Sequence, residues 1–284
     1  MKRNVLVLGG TGYFGRNLVS LLVNNGDNVC VVTRGNAPTN PACTFQKFDR
    51  NQNITFHTTQ YWDVVYDQSC YRAESLINFQ LLMKNCGVYI LTSSQAVYPS
   101  ELELPEDLNC NQFANKINPY GLEKLQAELF VKSHTNNFII PRFPVIVGKN
   151  DSKKRLQHLI KKIYSGSIDI SSKNPLLQMI DEYDAAKDLF NLPLKGFRGI
   201  INLAFEKSIS AQELVAMIAK TLNVSTNISW TDNYQYEPFD LLKSESKTLC
   251  LDYQKKLGLQ HQNLEDILHR FCLDFLSEIQ YDYH

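Results

Sequence analysis

Three residues carry the sharpest chemistry in this sequence. Tyr120 and Lys124 stand in Pro119-Tyr120-Gly121-Leu122-Glu123-Lys124, a stretch that opens a helix. Residues i and i+4 share one helix face, so a phenol and an ammonium lie one turn apart. A phenol at its ordinary pKa of about 10 is a poor base at neutral pH, and a neighbouring cation favours the phenolate. Ser94 follows the apolar strand Val88-Tyr89-Ile90-Leu91-Thr92, and its hydroxyl is suited to orienting a substrate oxygen. Together the three offer proton transfer to or from a hydroxyl or carbonyl.

These side chains need a scaffold, and the first fifteen residues carry its signature. Val5-Leu6-Val7-Leu8 reads as a buried parallel strand. Gly9-Gly10-Thr11-Gly12-Tyr13-Phe14-Gly15 then turns the chain into a helix running from about Tyr13 to Asn24. In this spacing Gly9 permits the turn, Gly12 admits a diphosphate and Gly15 lets helix pack on strand. Free N–H groups at the helix start hold the phosphates. Thr11, Tyr13 and Phe14 complete the predicted cofactor loop, and the cofactor is a dinucleotide, NAD or NADP. A tight structural turn is the alternative.

The following strands extend the pattern. Asn28 to Val32 reads as a second strand ending at Thr33-Arg34-Gly35. An acidic residue there accepts the ribose 2′-hydroxyl of NAD, whereas an Arg pairs with a 2′-phosphate. Arg34 therefore tilts the choice towards NADP; stacked on the adenine or simply solvated, it would carry no such preference. Thr44 to Phe48 reads as a third strand ending in Asp49-Arg50, with Asp49 placed to accept from the adenine amino group. Trp62 to Asp67 is a fourth strand. A helix is predicted over Arg72 to Asn85, with Leu76, Phe79, Leu82 and Met83 on one face. That stripe is either core or a face on which two copies pair as a homodimer. Strands alternating with helices predict an α/β fold, a doubly wound parallel (Rossmann) sheet.

Composition narrows the function classes. The 284 residues suffice for one large α/β domain with a smaller lobe. Formal net charge is zero, which gives no reason to expect a nucleic-acid or anionic-membrane partner. No apolar run reaches the roughly 18 residues of a membrane span. Met1-Lys2-Arg3-Asn4 enters a strand directly, without the apolar region of a signal peptide, so a cytoplasmic protein is expected. The seven cysteines form no C-x-x-C pair and the six histidines lack ligand spacing, so reduced thiols and no metal site are expected.

In its combined motifs the chain resembles an extended short-chain dehydrogenase/reductase of the NAD-dependent epimerase/dehydratase family. The resemblance rests on Gly9 to Gly15, Asp49-Arg50, Thr92-Ser93-Ser94 with Val97-Tyr98, and Tyr120 with Lys124. It continues through Pro141-Arg142-Phe143-Pro144-Val145-Ile146-Val147-Gly148, Ile200 to Leu203, Ile209 to Leu214 with its capping box of Ser210 and Glu213, and the closing segment from Leu251 to Leu268. It implies that Tyr120 is the general acid/base, that Lys124 lowers its pKa and holds the nicotinamide ribose, and that Ser94 polarises the substrate oxygen. Phe143 to Val145 would lie near the nicotinamide, and Asp49 and Arg50 would contact the cofactor. The implied activity is an oxidoreductase or epimerase acting on a small-molecule hydroxyl or carbonyl, such as that of a nucleotide sugar. By the same comparison, residues 1–143 and 178–203 form the cofactor domain, and 144–177 and 204–284 a small substrate lobe.

The chain also departs from that pattern. Tyr66-Asp67-Gln68-Ser69-Cys70-Tyr71 replaces a small-residue segment beside the cofactor, and here an atypical branch that includes chloroplast RNA-binding relatives looks closer. A cofactor-binding regulator or RNA-binding relative is thus the second reading. Gln95-Ala96 replaces the Asp-Glu pair of sugar dehydratases, and neither can act as acid or base, which disfavours a dehydratase. Glu101, Glu103, Glu106 and Asp107 read as a solvated loop. Lys153, Lys154, Arg155, Lys161 and Lys162 read as the solvated side of a helix, and phosphate binding is the lesser alternative. Asp184 reads as a structural acid, and His261 with His269 as a solvated pair.

Overall fold

The computed structural model describes residues 2–35, 40–232, 241–242 and 245–282. The first half alternates β1 (Asn4–Leu8), α1 (Gly15–Asn24), β2 (Asn28–Thr33), β3 (Thr44–Lys47), β4 (Trp62–Asp67), α2 (Gln80–Lys84), β5 (Cys86–Leu91), β6 (Ser93–Ser94), α3 (Pro119–His134) and β7 (Phe138–Phe143). The second half contains β8 (Val145–Val147), α4 (Arg155–Tyr164), β9 (Ser167–Ser171), β10 (Leu176–Leu177), β11 (Met179–Asp181), α5 (Glu182–Leu194) and β12 (Gly199–Asn202). It closes with β13 (Ile209–Ser210), α6 (Ala211–Leu222), β14 (Asn227–Thr231), α7 (Asp252–Lys256) and α8 (Leu264–Asp282).

The main sheet runs in the order β12-β7-β5-β4-β1-β2-β3, with β6 beside β7. Its pairings are parallel, for example Val5 to both Val29 and Val64. The doubly wound parallel sheet read from the sequence is therefore the architecture. Parallel strands have both faces covered, which explains the unbroken apolar run of β1. Val5 and Val7 pack with Leu18 and Leu22 of α1 and Ala185 and Leu189 of α5. Leu6 and Leu8 point the other way, into a layer with Phe79, Met83 and Val131. The strand order reverses between β1 and β4, and ligands of such sheets bind outside the carboxyl ends at that point.

A second core forms between α4, α6 and α8, from Leu156, Ile160, Leu214, Ile218, Ile267 and Phe271. Carboxylates along β11 and α5 clasp the chain that leads into it. Asp181 takes Arg270 at 3.0 Å, Asp184 accepts from the Gln262 N–H at 2.9 Å, and Asp188 meets His261 at 2.6 Å. His261 is therefore no solvated residue: its side chain is buried, with Nδ1 2.9 Å from the Ala204 carbonyl. A cavity of about 710 Å³ opens here, lined by Asp184, Lys187, His261 and Arg270, and none of the predicted site residues reaches it.

Other elements differ from expectation for tertiary reasons. Ala73 to Phe79 is a 3₁₀ helix, and only Gln80 to Lys84 is α-helical. Ser75 Oγ donates to the Arg72 carbonyl, and Asn78 Nδ2 donates to the carbonyls of Arg50 and Gln52. Such side-chain bonds to backbone compete with a regular helix. Leu76, Phe79, Leu82 and Met83 are all buried, so the stripe is core. Glu106, expected in a solvated loop, is buried and accepts from the Asn202 N–H at 3.1 Å.

The end of β4 is fixed by a buried ion pair. Arg50 holds Asp67 through two bonds, at 2.6 and 3.0 Å, and also reaches Ser69 and Ser75. Tyr89 donates to the same carboxylate at 2.7 Å. Burial opposes the charge on Asp67, but Arg50, Tyr89 and the Ser69 N–H outweigh it and hold the carboxyl below its ordinary range. Its stabilising contribution is thus complete above the unfolded value of about 4 and is lost as pH falls through the depressed folded value. Arg50→Met leaves that carboxylate buried and unpaired and is expected to cost about 3–5 kcal/mol in urea unfolding at pH 7. The cost should shrink in acid. A variant as stable as the parent at pH 7 would contradict the pair's structural role.

Candidate functional site

The glycine loop sits at the switch point, pressed against the end of β4. Gly9 has φ +93°, and a Cβ there would meet Ser69 at 2.9 Å. A Cβ on Gly15 would meet Gln68 Oε1 at 2.5 Å, so the third glycine permits close packing of α1 on the sheet. A Cβ on Gly12 would meet nothing within 4 Å; this is the open side of the loop. Tyr13 adopts φ +41°, and its hydroxyl donates to the Ile146 carbonyl. Phe14 precedes α1 and gives its end no side-chain cap, and no acidic residue stands in the first turn. Among the described residues Gln68 Nε2 is a buried donor without a partner beside this loop. An uncapped helix start, an open glycine and an orphaned donor fit a dinucleotide diphosphate.

The proton-handling side chains come from β6 and α3. Asn118 caps α3 by accepting from the Gly121 N–H at 2.8 Å, and Pro119 occupies its first turn. The helix can begin here because residue 121 is glycine: a Cβ would fall on the Ala96 carbonyl. That close approach sets Tyr120 beside Ser94, whose strand pairs with β7 through Ser94 and Phe143. Ser94 Oγ also accepts from the Ala96 N–H at 3.2 Å.

Lys124 is almost wholly enclosed. Its ammonium donates to the Cys70 carbonyl at 2.7 Å and the Thr92 carbonyl at 3.0 Å. Nζ lies 5.9 Å from the centre of the Tyr120 ring and 5.6 Å from that of Tyr71. Burial lowers the pKa of Lys124. The Tyr120 ring is 45% exposed, but desolvation of its hydroxyl raises the phenol above its ordinary value; Ser94 and the Arg155 guanidinium oppose the rise. The lowering expected from Lys124 is therefore not found, because burial of the phenol decides the direction of its shift.

A buried polar network supports this arrangement from below. Arg142 pairs with Glu128 at 2.6 and 3.0 Å and donates to the Tyr98 hydroxyl at 2.6 Å. Ser93 donates to Glu128 at 2.5 Å, and Tyr98 donates to Asn202 at 2.9 Å. The network joins β6, α3, β7 and β12, and so fixes the strand end that carries Ser94.

The remaining predicted residues fall in different places. Phe143 is buried with its ring 6.1 Å from that of Phe14, and Val145 is half-buried at the start of β8. Thr11 is half-buried in the loop, and its carbonyl accepts from Arg16 Nε. Asp49 is half-buried and closes a turn by accepting from the Asn51 N–H. Arg34 is exposed at the end of β2. Arg50, expected at the cofactor, instead spends its guanidinium inside the protein on Asp67, Ser69 and Ser75. Gly121, Gln68 and Arg155 were not anticipated from sequence. Lys153 and Lys154 are exposed as expected, but Arg155 is half-buried and pairs with Asp151 at 3.0 Å.

Comparison with known proteins decides the family. The model of the NAD dependent epimerase/dehydratase family matches residues 5–187. The chain belongs to this family of enzymes. No curated protein matches its sequence. Among solved structures it is similar to UDP-glucuronic acid 4-epimerase from Bacillus cereus in complex with NAD, at 17% identity, TM-score 0.74, covering 97% of this chain and 99% of that one. It is also similar to MoeE5 in complex with UDP-glucuronic acid and NAD, at 19% identity and TM-score 0.71, with 97% and 99% covered. A third is dTDP-glucose 4,6-dehydratase from Bacillus anthracis with NAD, at 14% identity and TM-score 0.73, with 97% of each chain covered. The tilt towards NADP read from Arg34 finds no support: the family is named for NAD, and the side chain stands in solvent.

No helix among the described residues is long and apolar enough to cross a membrane, and no cluster of three metal-ligating side chains occurs among them. Gly121→Ala is expected to force α3 away from Ala96, at a stability cost of about 1–3 kcal/mol. Thermal unfolding checks this; an unchanged melting temperature would show that the contact at Ala96 yields freely.

Proposed function

We propose that this enzyme oxidises or epimerises a carbinol of a nucleotide sugar, with NAD as cofactor and Tyr120 as the proton-transfer group. The observation that carries the reading is the convergence of Ser94, Tyr120 and Lys124 at the carboxyl ends of the strands, beside an open glycine loop. Structural neighbours named for UDP-glucuronic acid, UDP-glucose and UDP-galactose support a nucleotide sugar as substrate.

The backbone at Gly12 and the first turn of α1 would hold the diphosphate. Thr11, Tyr13, Phe14, Phe143 and Val145 would line the dinucleotide, and Asp49 would face the adenine end. Arg50 supports the site indirectly by fixing Asp67 and Ser69. When bound, the nicotinamide supplies a site that accepts hydride from a substrate carbon and can return it. Ser94 holds the substrate hydroxyl, and Tyr120 takes its proton or gives it back. Lys124 presents one remaining N–H and a positive charge to whatever lies over it. With two protons fixed on carbonyls, it is oriented before ligand arrives.

Residues 144–177 and 204–284, around the second core, form the substrate lobe in this reading, and 1–143 with 178–203 the cofactor domain. The enzyme works in the cytoplasm. Dehydration of the sugar is disfavoured because Gln95 and Ala96 follow Ser94, and Gln95 is buried. The intact Ser94, Tyr120 and Lys124 favour this reading over a cofactor-binding regulator or an RNA-binding relative.

Tyr120→Phe tests the assignment. With UDP-glucuronic acid and UDP-glucose as trial substrates, turnover is expected to fall by about 10²–10⁴-fold, with NAD affinity retained. Epimer formation or NADH absorbance at 340 nm reads the result. Undiminished turnover in the variant would remove Tyr120 from the chemistry.

A further inference from the structure

The segment that follows β4 lies against the proposed site, and it ends in an exposed aromatic. Tyr71 follows β4 by four residues and is 67% exposed, whereas Tyr66 and Tyr89 nearby are fully buried. Its ring centre is 5.6 Å from Lys124 Nζ, so two tyrosine rings, 71 and 120, come within 6 Å of one enclosed ammonium. The backbone around Tyr71 is anchored. The Cys70 carbonyl receives Lys124 at 2.7 Å, and the Ala73 N–H donates to Glu123 of α3 at 3.2 Å. Ser75 Oγ closes the turn on the Arg72 carbonyl at 2.8 Å. An aromatic face is thus displayed to solvent from a fixed main chain, at the mouth of the site.

The geometry points to Tyr71 as the wall on which the sugar ring of the substrate rests: its ring face, rather than its hydroxyl, positions the substrate carbinol over Ser94 and Tyr120. This rests on the nucleotide-sugar reading. A pyranose has an apolar face of C–H groups, and an aromatic face carries partial negative charge that attracts such polarised hydrogens. The Lys124 ammonium beside the same ring orders it further through a cation–π contact. Tyr71 is therefore a positioning and specificity residue.

The test uses NAD-loaded protein and titration calorimetry with UDP and with UDP-glucose as probes, on the parent, Tyr71→Phe and Tyr71→Ala. The parent should bind UDP-glucose more tightly than UDP. Tyr71→Phe should keep that increment, and Tyr71→Ala should lose roughly tenfold in UDP-glucose affinity. UDP and NAD affinities should stay unchanged throughout, which also shows that both variants are folded. With a substrate that turns over, Tyr71→Ala should raise KM more than it lowers kcat. Full sugar affinity in Tyr71→Ala would overturn the proposal. So would a loss in Tyr71→Phe equal to that in Tyr71→Ala, which would make the hydroxyl the active group. A fall in NAD affinity together with the sugar's would make Tyr71 a cofactor wall instead. If the parent itself gains nothing from the glucose of UDP-glucose, the nucleotide-sugar reading fails first and the proposal falls with it.

Discussion

An enclosed ammonium with no carboxylate partner among its hydrogen bonds is the constraint around which this molecule is built. Lys124 donates to the carbonyls of Cys70 and Thr92, one just beyond β4 and the other just beyond β5. Removing a charge from water is costly unless it is well hydrogen-bonded, so these two strand ends and α3 must hold their positions together. Any shift of the helix along the sheet would strand the charge. Two of its three protons are committed to the protein, which leaves one for a ligand. A cation oriented in this way needs no reorganisation when a reaction begins.

The surrounding structure makes that placement stable. Gly121 brings α3 onto Ala96, the Arg142–Glu128 pair ties β7 to α3, and Ser93 of β6 donates to the same carboxylate. Arg50 and Asp67 fix the end of β4, from which the Cys70 carbonyl follows. The second core is attached through carboxylates of β11 and α5, and β11 runs parallel to β8, whose Ile146 carbonyl takes the Tyr13 hydroxyl. The glycine loop is thereby tied to β8.

The sequence made the repeating parts legible because their determinants are local. The run Val5 to Leu8 betrays a strand covered on both faces, and the glycines betray the turn after it. Helical spacing puts Tyr120 and Lys124 on one face, and Ser94 at the preceding strand end behind the glycine motif singles the pair out. What stayed hidden depends on contacts distant in sequence. Arg50 beside Asp49 looked like a cofactor contact, yet its fate is set by Asp67, Ser69 and Ser75. Gly121 is unremarkable until the Ala96 carbonyl lies against it. The 3₁₀ segment from Ala73 carried a good apolar stripe, but Ser75 and Asn78 bond to backbone instead. His261 is polar and follows a loop, and only the fold brings Asp188 to it. The direction of the Tyr120 shift was missed for the same reason: spacing gives proximity to Lys124 but not the burial of the phenol in the folded chain.

The central claim is that the loop from Gly9 to Gly15 and the Tyr120 site serve one nicotinamide dinucleotide. It is tested most directly by denaturing the purified protein and taking the absorbance and mass spectra of what is released, followed by titration of the emptied, refolded or cofactor-free protein with NAD, NADH, NADP and NADPH. The account predicts that NAD or NADH is released, or is bound on titration more tightly than the phosphorylated forms. Tight retention would favour an epimerase, which recycles its cofactor within each turnover. A protein that releases no dinucleotide and binds none would contradict the account.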